Sequence, residues 1–432
     1  MNRREFIKGA ATAGALATAR AASAKSWRDY EVADGKYWLQ HLAGEPMLAA
    51  VSETSVAVSW AVGRLATGGV EIADNPKMEN ARYVKAGMMP VAELSSASLQ
   101  VRIDGLKPAT RYWYRTVTEE VKSIYHPLYA GISPGERAIG STRSFMTSGA
   151  AAESRFGVLN DTHAQWDSFS LTAKKLHAMK FPVCVWAGDA LNCTEDRKTA
   201  VEAFLWPDVP TKGYAAETPI LFVPGNHEYY GEYVTHLDEV MPCRPLEERG
   251  LGYAPLKWNF AVRQGDIALI GMDTGEGHDD GDERLCGLGM FAAYRDLQAR
   301  WLAEVLERPE IKSAPFAVMF CHIPPYDKNL NDGRGGLTDD GLRWGPLLDR
   351  HGVQLVVCGH EHTHRWAEDT GYRWKQVIGG GPELGYGAGF RPKESACPTV
   401  IEGVVESGKL VVRVHDAWRG GVISSRTFEC RG

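Results

Sequence analysis

From residue 155 onward, short runs of consecutive apolar residues alternate with stretches long enough to form helices. Apolar runs of roughly four to eight residues are typical of strands buried on both faces, and their alternation with helices predicts an α/β layered core. Ligand sites in open α/β sheets lie beyond the carboxyl ends of the strands. Six runs carry the pattern: Phe156–Leu159, Val183–Ala187, Ile220–Val223, Ile267–Ile270, Phe316–Phe320 and Leu355–Cys358.

Five short blocks that contain Asp, Asn or His follow five of these runs, each at or just past the end of its run. Two adjacent divalent ions need a bridging carboxylate, a carboxamide oxygen, several neutral imidazoles and a position open to water. Each block alone has an ordinary explanation, as a turn residue or a surface histidine. Together they predict a two-metal phosphoester hydrolase site. The blocks are Asp161-Thr162-His163, Gly188-Asp189, Gly225-Asn226-His227-Glu228, His322 and Gly359-His360-Glu361-His362.

The size and charge of the chain set limits on its partners. Its 432 residues, of which 44% are hydrophobic and 24% charged, can bury a large core and favour more than one domain. A formal net charge of -6 provides no general basic field. Stable nucleic-acid binding is therefore not expected. The sequence leaves the oligomeric state open.

The N-terminal residues have the pattern of an export signal. Arg3 and Arg4 precede a small-residue apolar stretch over 9–19 and the cleavage-like triplet Ala22-Ser23-Ala24. This order predicts a twin-arginine signal peptide over residues 1–24 and the twin-arginine export machinery as a partner. Because the apolar stretch is short, we expect no transmembrane anchor after processing, and a periplasmic or extracellular protein. The alternative is a disordered basic tail.

Residues 45–148 contain short alternating segments separated by turn residues, as a β-sandwich requires. The segment Leu106–Arg115 resembles the turn-into-strand segment of fibronectin type III domains, and Trp60 and a closing strand at Thr142–Thr147 extend the resemblance. It implies an N-terminal all-β sandwich that is fibronectin type III-like, followed by an α/β layered domain over 153–428. Another sandwich topology is the alternative.

The five blocks resemble the signature of the calcineurin-like metallophosphoesterases, which reads D-x-H, G-D-x-x-D/N, G-N-H-D/E, a lone H and G-H-x-H. The resemblance spans about residues 155–385 and implies two central mixed sheets flanked by helices. With the preceding sandwich, the architecture resembles that of purple acid phosphatases and related exported phosphoesterases. It implies one metal held by Asp161, His163, Asp189 and His362, and a second held by Asp189, Asn226, His322 and His360.

The sequence departs from true purple acid phosphatases at two coupled positions. Their iron-binding tyrosine would fall at Asn192, and their first block has glycine where His163 stands. We expect His163 to replace the tyrosine, so a phenolate-to-iron charge-transfer band is not expected. The two divalent or trivalent ions are left open among manganese, iron, zinc and calcium.

The resemblance also implies roles for side chains outside the ligand sets. His227 lies next to a ligand and is the candidate to protonate the leaving alcohol or stabilise its charge. Asn192 or Glu228 is expected to orient its ring. His364 and Arg365 follow the last block and are candidate contacts to substrate oxygens, with structural packing as the alternative.

These observations predict an exported hydrolase of small-molecule phosphate esters. The likeness in domain order to acid phosphatases favours phosphomonoesters. The first alternative is a phosphodiesterase or nucleotide-processing enzyme that uses the same site. The second is a non-catalytic surface module in which the sandwich binds a partner and the metals are structural.

Overall fold

The computed structural model describes residues 41–123, 133–205, 213–330, 335–382 and 397–431. The signal peptide predicted over residues 1–24 lies outside these ranges, so it stays a prediction. In the described ranges, no helix combines the length and the apolar character that a membrane span requires.

The N-terminal region is built from strands, because its apolar and polar residues alternate in short segments between turns. The strands are β1 (Met47–Ala49), β2 (Ser55–Ala61), β3 (Ala66–Ala73), β4 (Arg82–Lys85), β5 (Gly87–Met88), β6 (Val91–Ala92), β7 (Ser98–Asp104), β8 (Arg111–Ser123), β9 (Ser133–Ile139) and β10 (Arg143–Met146).

The rest of the chain mixes strands with helices and ends in a three-stranded meander. The strands are β11 (Arg155–Leu159), β12 (Cys184–Ala187), β13 (Ile220–Val223), β14 (Phe260–Gln264), β15 (Ile267–Gly271), β16 (Phe316–Phe320), β17 (Tyr326–Asp327), β18 (Gly336–Leu337), β19 (Leu355–Cys358), β20 (Arg365–Ala367), β21 (Lys375–Ile378), β22 (Thr399–Glu406), β23 (Lys409–Asp416) and β24 (Val422–Phe428). The helices are α1 (Trp166–Met179), α2 (Arg197–Leu205), α3 (Leu246–Arg249), α4 (Phe291–Glu307), α5 (Pro309–Lys312) and α6 (Asp339–Arg350). Short 3₁₀ helices cover Asn226–Tyr229, Val234–Glu239, Leu251–Tyr253 and Glu283–Leu285.

Most of the strands belong to three sheets. A nine-stranded sheet has the order β24-β23-β22-β11-β12-β13-β1-β2-β7, and a six-stranded sheet has the order β14-β15-β16-β19-β21-β20. Each has a parallel centre, β11-β12-β13-β1 in one and β15-β16-β19-β21 in the other, with antiparallel strands beside it. Strands β10, β8, β3 and β4 form a third sheet, and β9 pairs with β8.

The two mixed sheets pack face to face, and helices cover their outer faces. Between the sheets, the rings of Phe156 on β11 and Phe320 on β16 meet edge to face with centroids 5.3 Å apart. On the other face of the nine-stranded sheet, Trp186 of β12 stacks on Phe169 of α1 at 5.7 Å. Trp301 of α4 is buried in the cluster that covers the six-stranded sheet. The prediction of two central mixed sheets flanked by helices is confirmed.

The N-terminal strands are joined directly to the sheet that carries part of the site. Ala49 of β1 pairs in parallel with Ile220 of β13, so β1, β2 and β7 extend the nine-stranded sheet. Trp60 of β2 is buried and donates its Nε1–H to Thr118 Oγ1 of β8 at 2.9 Å, which ties this extension to the third sheet. The fibronectin type III-like sandwich over 45–148 and its boundary to the following domain stay predictions.

Candidate metal centre

The predicted ligands come together beyond the carboxyl ends of β11, β12, β13, β16 and β19. Within each of two groups of side chains, the ligand atoms all lie within 4.8 Å of one another. Asp189 belongs to both groups. The first group is Asp161, His163, Asp189 and His362, and the second is Asp189, His322 and His360.

In the first group, imidazole nitrogens converge on two carboxylates. His163 Nε2 lies 3.4 Å from Asp189 Oδ2 and 2.9 Å from His362 Nε2. His362 Nε2 in turn lies 3.3 Å from Asp161 Oδ1. Two imidazoles and two carboxylates at these separations form a mixed nitrogen and oxygen donor set, which suits a transition-metal ion.

In the second group, Asp189 faces another pair of histidines. His322 Nε2 lies 3.1 Å from Asp189 Oδ2, the same oxygen that faces His163. His360 Nδ1 lies 3.0 Å from Asn226 Oδ1, so the predicted amide ligand adjoins this group. A carboxylate oxygen placed between two ligand groups is what neighbouring cations need to offset their repulsion.

The hydrogen bonds of His322 show that this donor set fits a cation. Nδ1 lies 2.8 Å from the carbonyl oxygen of Ala187, so Nδ1–H donates to that oxygen, and Nε2 is turned toward the carboxylates. Nε2 is buried and, despite its closeness to Asp189, makes no bond of hydrogen-bond geometry with the described residues. A buried nitrogen in this setting is satisfied by a metal ion or by a proton.

Burial and mutual charge set the protonation of the cluster. Burial lowers the pKa of His163 to about 4. Burial also disfavours a proton on His322, but the carboxylates of Asp189 and Asp161 outweigh it and raise the His322 pKa to about 10. Burial favours the neutral acids at Asp161 and Asp189, yet the charge on His322 holds the pKa of both below the ordinary value. Both carboxylates are therefore ionised and His163 is neutral at pH 7, as metal ligands must be, whereas His322 carries a second ring proton that a metal ion bound at Nε2 would displace.

Five of the predicted ligands adopt left-handed backbone conformations. Residues other than glycine rarely do so, because each such residue costs about 1 to 3 kcal/mol, which contacts with its surroundings must offset. Part of that support is visible, since the main-chain N–H of His360 lies 3.0 Å from both carboxylate oxygens of Asp161. The φ angles are 47° at Asp161, 48° at His163, 50° at Asp189, 74° at His360 and 52° at His362.

Comparison with known proteins supports the family resemblance that the five sequence blocks predict. Residues 154–364 match the family model described as calcineurin-like phosphoesterase. These residues form a calcineurin-like phosphoesterase domain. The predicted resemblance to that family is confirmed, and the chain is a metal-dependent phosphoester hydrolase.

Solved structures that are similar to this chain include a plant purple acid phosphatase and a Plasmodium protein. The purple acid phosphatase from yellow lupin (Lupinus luteus) seeds matches with a TM-score of 0.61 and 14% identity, over 91% of this chain and 75% of that one. GAP50, the anchor in the inner membrane complex of Plasmodium, matches with a TM-score of 0.43 and 16% identity, over 64% of this chain and 89% of that one. At this level of identity the first match shows a shared fold.

The phosphoesterase domain holds two of its ligand loops together through the buried carboxylate of Glu228. Oε2 accepts the main-chain N–H of Gly225 at 2.6 Å and of Asp189 at 2.9 Å. Oε1 accepts the N–H of Ala190 at 2.8 Å and of Leu191 at 3.3 Å. Burial and the charge of Asp189 raise the Glu228 pKa, and the main-chain N–H groups of Gly225 and Leu191, which favour the ionised carboxylate, oppose this rise. Glu228 thus fastens the loop after β13 to the loop after β12, a role that its motif did not indicate.

His227 is oriented by the main chain of Asn192. The ring Nδ1 lies 2.9 Å from the Asn192 carbonyl oxygen, so it donates there, and the main-chain N–H of His227 donates to Asp189 Oδ1 at 3.0 Å. The side chain of Asn192 instead contacts His163, with Oδ1 3.0 Å from Nδ1 and Nδ2 donating to the His163 carbonyl at 3.1 Å. Asn192 therefore positions both rings, one through its backbone and one through its side chain.

The two candidate substrate contacts have partners within the protein. His364 Nε2 lies 2.9 Å from Ser424 Oγ on β24. Arg365 forms a two-point ion pair with Glu361, in which Nε lies 2.6 Å from Oε2. Substrate contact by His364 and Arg365 stays a prediction, and these partners correspond to the packing alternative.

Two polar residues near the centre were not among the predicted site residues. Asn160 donates from Nδ2 to Asp161 Oδ2, and its place directly before the first block was a usable signal. Glu276 accepts the hydroxyl of Tyr230 at 2.7 Å and lies 2.9 Å from Nδ1 of His278. No sequence pattern marks Glu276, because its role depends on a contact between distant loops.

Proposed function

We propose that this protein is an exported phosphomonoesterase that works with two bound metal ions. The observation that carries the proposal is the position of Asp189, which faces both ligand groups. Bound cations at such a centre supply positive charge for the phosphoryl oxygens and lower the pKa of an attacking water. Asp161, His163, Asp189 and His362 would hold one ion, and Asp189, Asn226, His322 and His360 would hold the other.

His227 is the proposed proton donor to the leaving alcohol. Its main chain is tied to Asp189 and its Nδ1 to the Asn192 carbonyl, so the orientation of the ring is set before substrate binds. As an imidazolium, the ring keeps the Nδ1 hydrogen bond and presents Nε2–H to the leaving oxygen. His163 stays neutral beside it because burial lowers its pKa, and Asn192 holds its Nδ1.

The choice of a monoester is supported by the fold shared with a purple acid phosphatase. The deciding experiment compares hydrolysis of 4-nitrophenyl phosphate and bis(4-nitrophenyl) phosphate by the purified protein, with metal analysis on the same sample. Asp189→Asn protein, prepared identically, controls for contaminating phosphatases. We expect faster monoester turnover, whereas a strong preference for the diester would establish the phosphodiesterase alternative. A metal-loaded protein that hydrolyses neither ester would favour the non-catalytic module.

Export by the twin-arginine route is proposed from the residue pattern that includes Arg3 and Arg4. Replacing both with lysine should leave the precursor in the cytoplasm, as measured by cell fractionation and immunoblotting. Unchanged delivery to the periplasm or medium would contradict the route and leave the hydrolase assignment intact.

A further inference from the structure

A cleft of about 850 Å³ opens beside the metal centre. Its wall begins at Tyr229 and Tyr230, the two residues that directly follow the Gly225–Glu228 block, and continues past Trp258 to the start of α4. Pockets that bind small molecules typically measure about 300 to 1,000 Å³. The cleft therefore has the volume of a ligand site.

Tyr230 connects the cleft to the reacting groups. Its ring meets that of His227 edge to face, with centroids 5.4 Å apart. Its hydroxyl lies 3.5 Å from Asn226 Nδ2 and donates to Glu276 at 2.7 Å. These contacts fix the ring of Tyr230 between the metal centre and the cleft. The cleft thus adjoins the side of the centre on which His227 would meet the leaving group.

The lining of the cleft is largely apolar, and part of it is open to solvent. Leu288 and Met290 at its edge are 84% and 75% exposed. Phe291 packs edge to face on Tyr229 at 5.4 Å, so an aromatic wall stands beside these side chains. Neighbouring apolar groups left in water favour a ligand that covers them.

The cations of the lining are already neutralised by carboxylates. Lys257 Nζ lies 3.0 Å from both oxygens of Asp238. Arg284 contacts Asp282 at two points, at 2.8 Å from Nε and 2.6 Å from Nη2. The wall is therefore poorly suited to a second phosphate or a sugar acid, and it suits an uncharged group.

We propose that the cleft binds the alcohol portion of the substrate, and that this portion is an extended apolar group, either an alkyl chain or an aryl ring system. The inference rests on the function proposed above. Water oxygen bonds to phosphorus, the bond from phosphorus to the ester oxygen breaks, and that oxygen leaves as an alcohol with the proton from His227. An ester placed for this reaction directs its alcohol past Tyr230 and over Leu288 and Met290.

The test is a series of linear alkyl phosphates from ethyl to octyl, assayed with the metal-loaded full-length enzyme. Each buried methylene should raise kcat/KM about three- to fourfold until the cleft is full. The neutral double variant Leu288→Asn/Met290→Gln should flatten this rise, so that the loss of kcat/KM relative to the wild type grows from ethyl to octyl phosphate. The matched control is Leu342→Asn, an exposed leucine on α6 that does not line the cleft.

A second experiment compares kcat/KM for phenyl phosphate and 2-naphthyl phosphate. If the increase in kcat/KM from phenyl to naphthyl exceeds the increase across the alkyl series, the cleft binds an aryl group. If the alkyl series shows the larger increase, the cleft binds an alkyl chain. Calorimetry with octylphosphonate supplies a readout without turnover, in which the negative heat-capacity change of binding should be smaller in the double variant than in the wild type. If every ester is hydrolysed and kcat/KM does not depend on chain length, the proposed role of the cleft is wrong and the proposed function still stands. Absence of any hydrolysis would overturn the proposed function. If the double substitution converts a dimer to a monomer and leaves the dependence of kcat/KM on chain length unchanged, then a second copy of the chain, and not the substrate, covers Leu288 and Met290.

Discussion

Asp189 is the side chain that faces both ligand groups of the centre. Its Oδ2 lies 3.4 Å from His163 Nε2 and 3.1 Å from His322 Nε2, and its Oδ1 accepts the main-chain N–H of His227. Its own main-chain N–H is held by Glu228. Substitution of this residue disturbs both groups, whereas each histidine ligand belongs to only one of them.

His227 and the ligands beside it can be separated by substitution. His227→Ala should lower kcat by about 10² to 10⁴, the usual contribution of a positioned general acid, because the leaving alcohol then departs without its proton donor. Metal content measured on the same sample should equal that of the wild type. His236→Ala, which removes an exposed histidine paired with Glu239, should change neither quantity. Loss of metal from the His227→Ala protein would recast His227 as a ligand.

At the scale of elements, the loops after β12 and β13 meet so closely that one position allows only glycine. Gly188 has a φ of 80°, and a Cβ there would lie 2.5 Å from His322 Nδ1 and 2.6 Å from the Gly225 nitrogen. Gly408 has a φ of 75° with nothing within 4 Å of its Cβ position. The two glycines therefore share a backbone conformation and differ in crowding.

Alanine at these two positions separates conformational strain from a clash in the centre. Gly408→Ala should lower the free energy of unfolding by about 1 to 2 kcal/mol, the cost of a left-handed backbone with a side chain. Gly188→Ala should lower it further and should also weaken metal binding, because His322 must move. Urea unfolding and metal titration of both variants measure the two effects. If both variants lose the same free energy of unfolding and both bind metal as the wild type does, then Gly188 is not crowded by His322 and Gly225.

The ligand residues could be predicted from sequence because each follows an apolar run that becomes a buried strand, so local pattern and sheet geometry agree. The function of Glu228 could not be predicted from sequence, because Glu228 accepts main-chain hydrogen bonds from a loop about 40 residues away. Pairing of Ala49 with Ile220 joins distant segments and leaves no local signal. Contacts of this kind, like the cleft beside Tyr230, depend on tertiary packing.

On the scale of the whole molecule, a buried charge cluster ties the C-terminal meander to β11. Glu402 Oε1 accepts two hydrogen bonds from Arg155, at 2.9 Å from Nε and 2.7 Å from Nη2, and Oε2 lies 3.1 Å from His415 Nε2. Burial opposes ionisation of Glu402, but the hydrogen bonds from His415 and Arg155 lower its pKa to about 2. The ionised carboxylate therefore stabilises the fold.

This cluster predicts the pH dependence of stability. Because the folded pKa lies below the ordinary value of 4.5, the stabilisation is present above pH 4.5 and is lost as the pH falls toward 2. Allowing for solvent screening, it amounts to about 2 kcal/mol. Glu402→Gln should lower the free energy of urea unfolding by that amount at pH 7, with a gap that narrows below pH 4.5. Glu195→Gln, at an exposed position, is the control. If the difference in free energy of unfolding between the wild type and Glu402→Gln does not change with pH, the stabilisation does not come from the ionised carboxylate.

The most direct test of the two-metal centre is the number of metal ions per chain in the wild type, Asp189→Asn and His360→Ala proteins, measured by mass spectrometry after equilibration with excess metal and desalting. Because Asp189 belongs to both groups and His360 to one, we expect two ions in the wild type, close to none in Asp189→Asn and about one in His360→Ala. Phosphoester hydrolysis should fall with the first loss of metal. A wild-type protein that binds one ion, or an Asp189→Asn protein that keeps two, would contradict a centre bridged by Asp189.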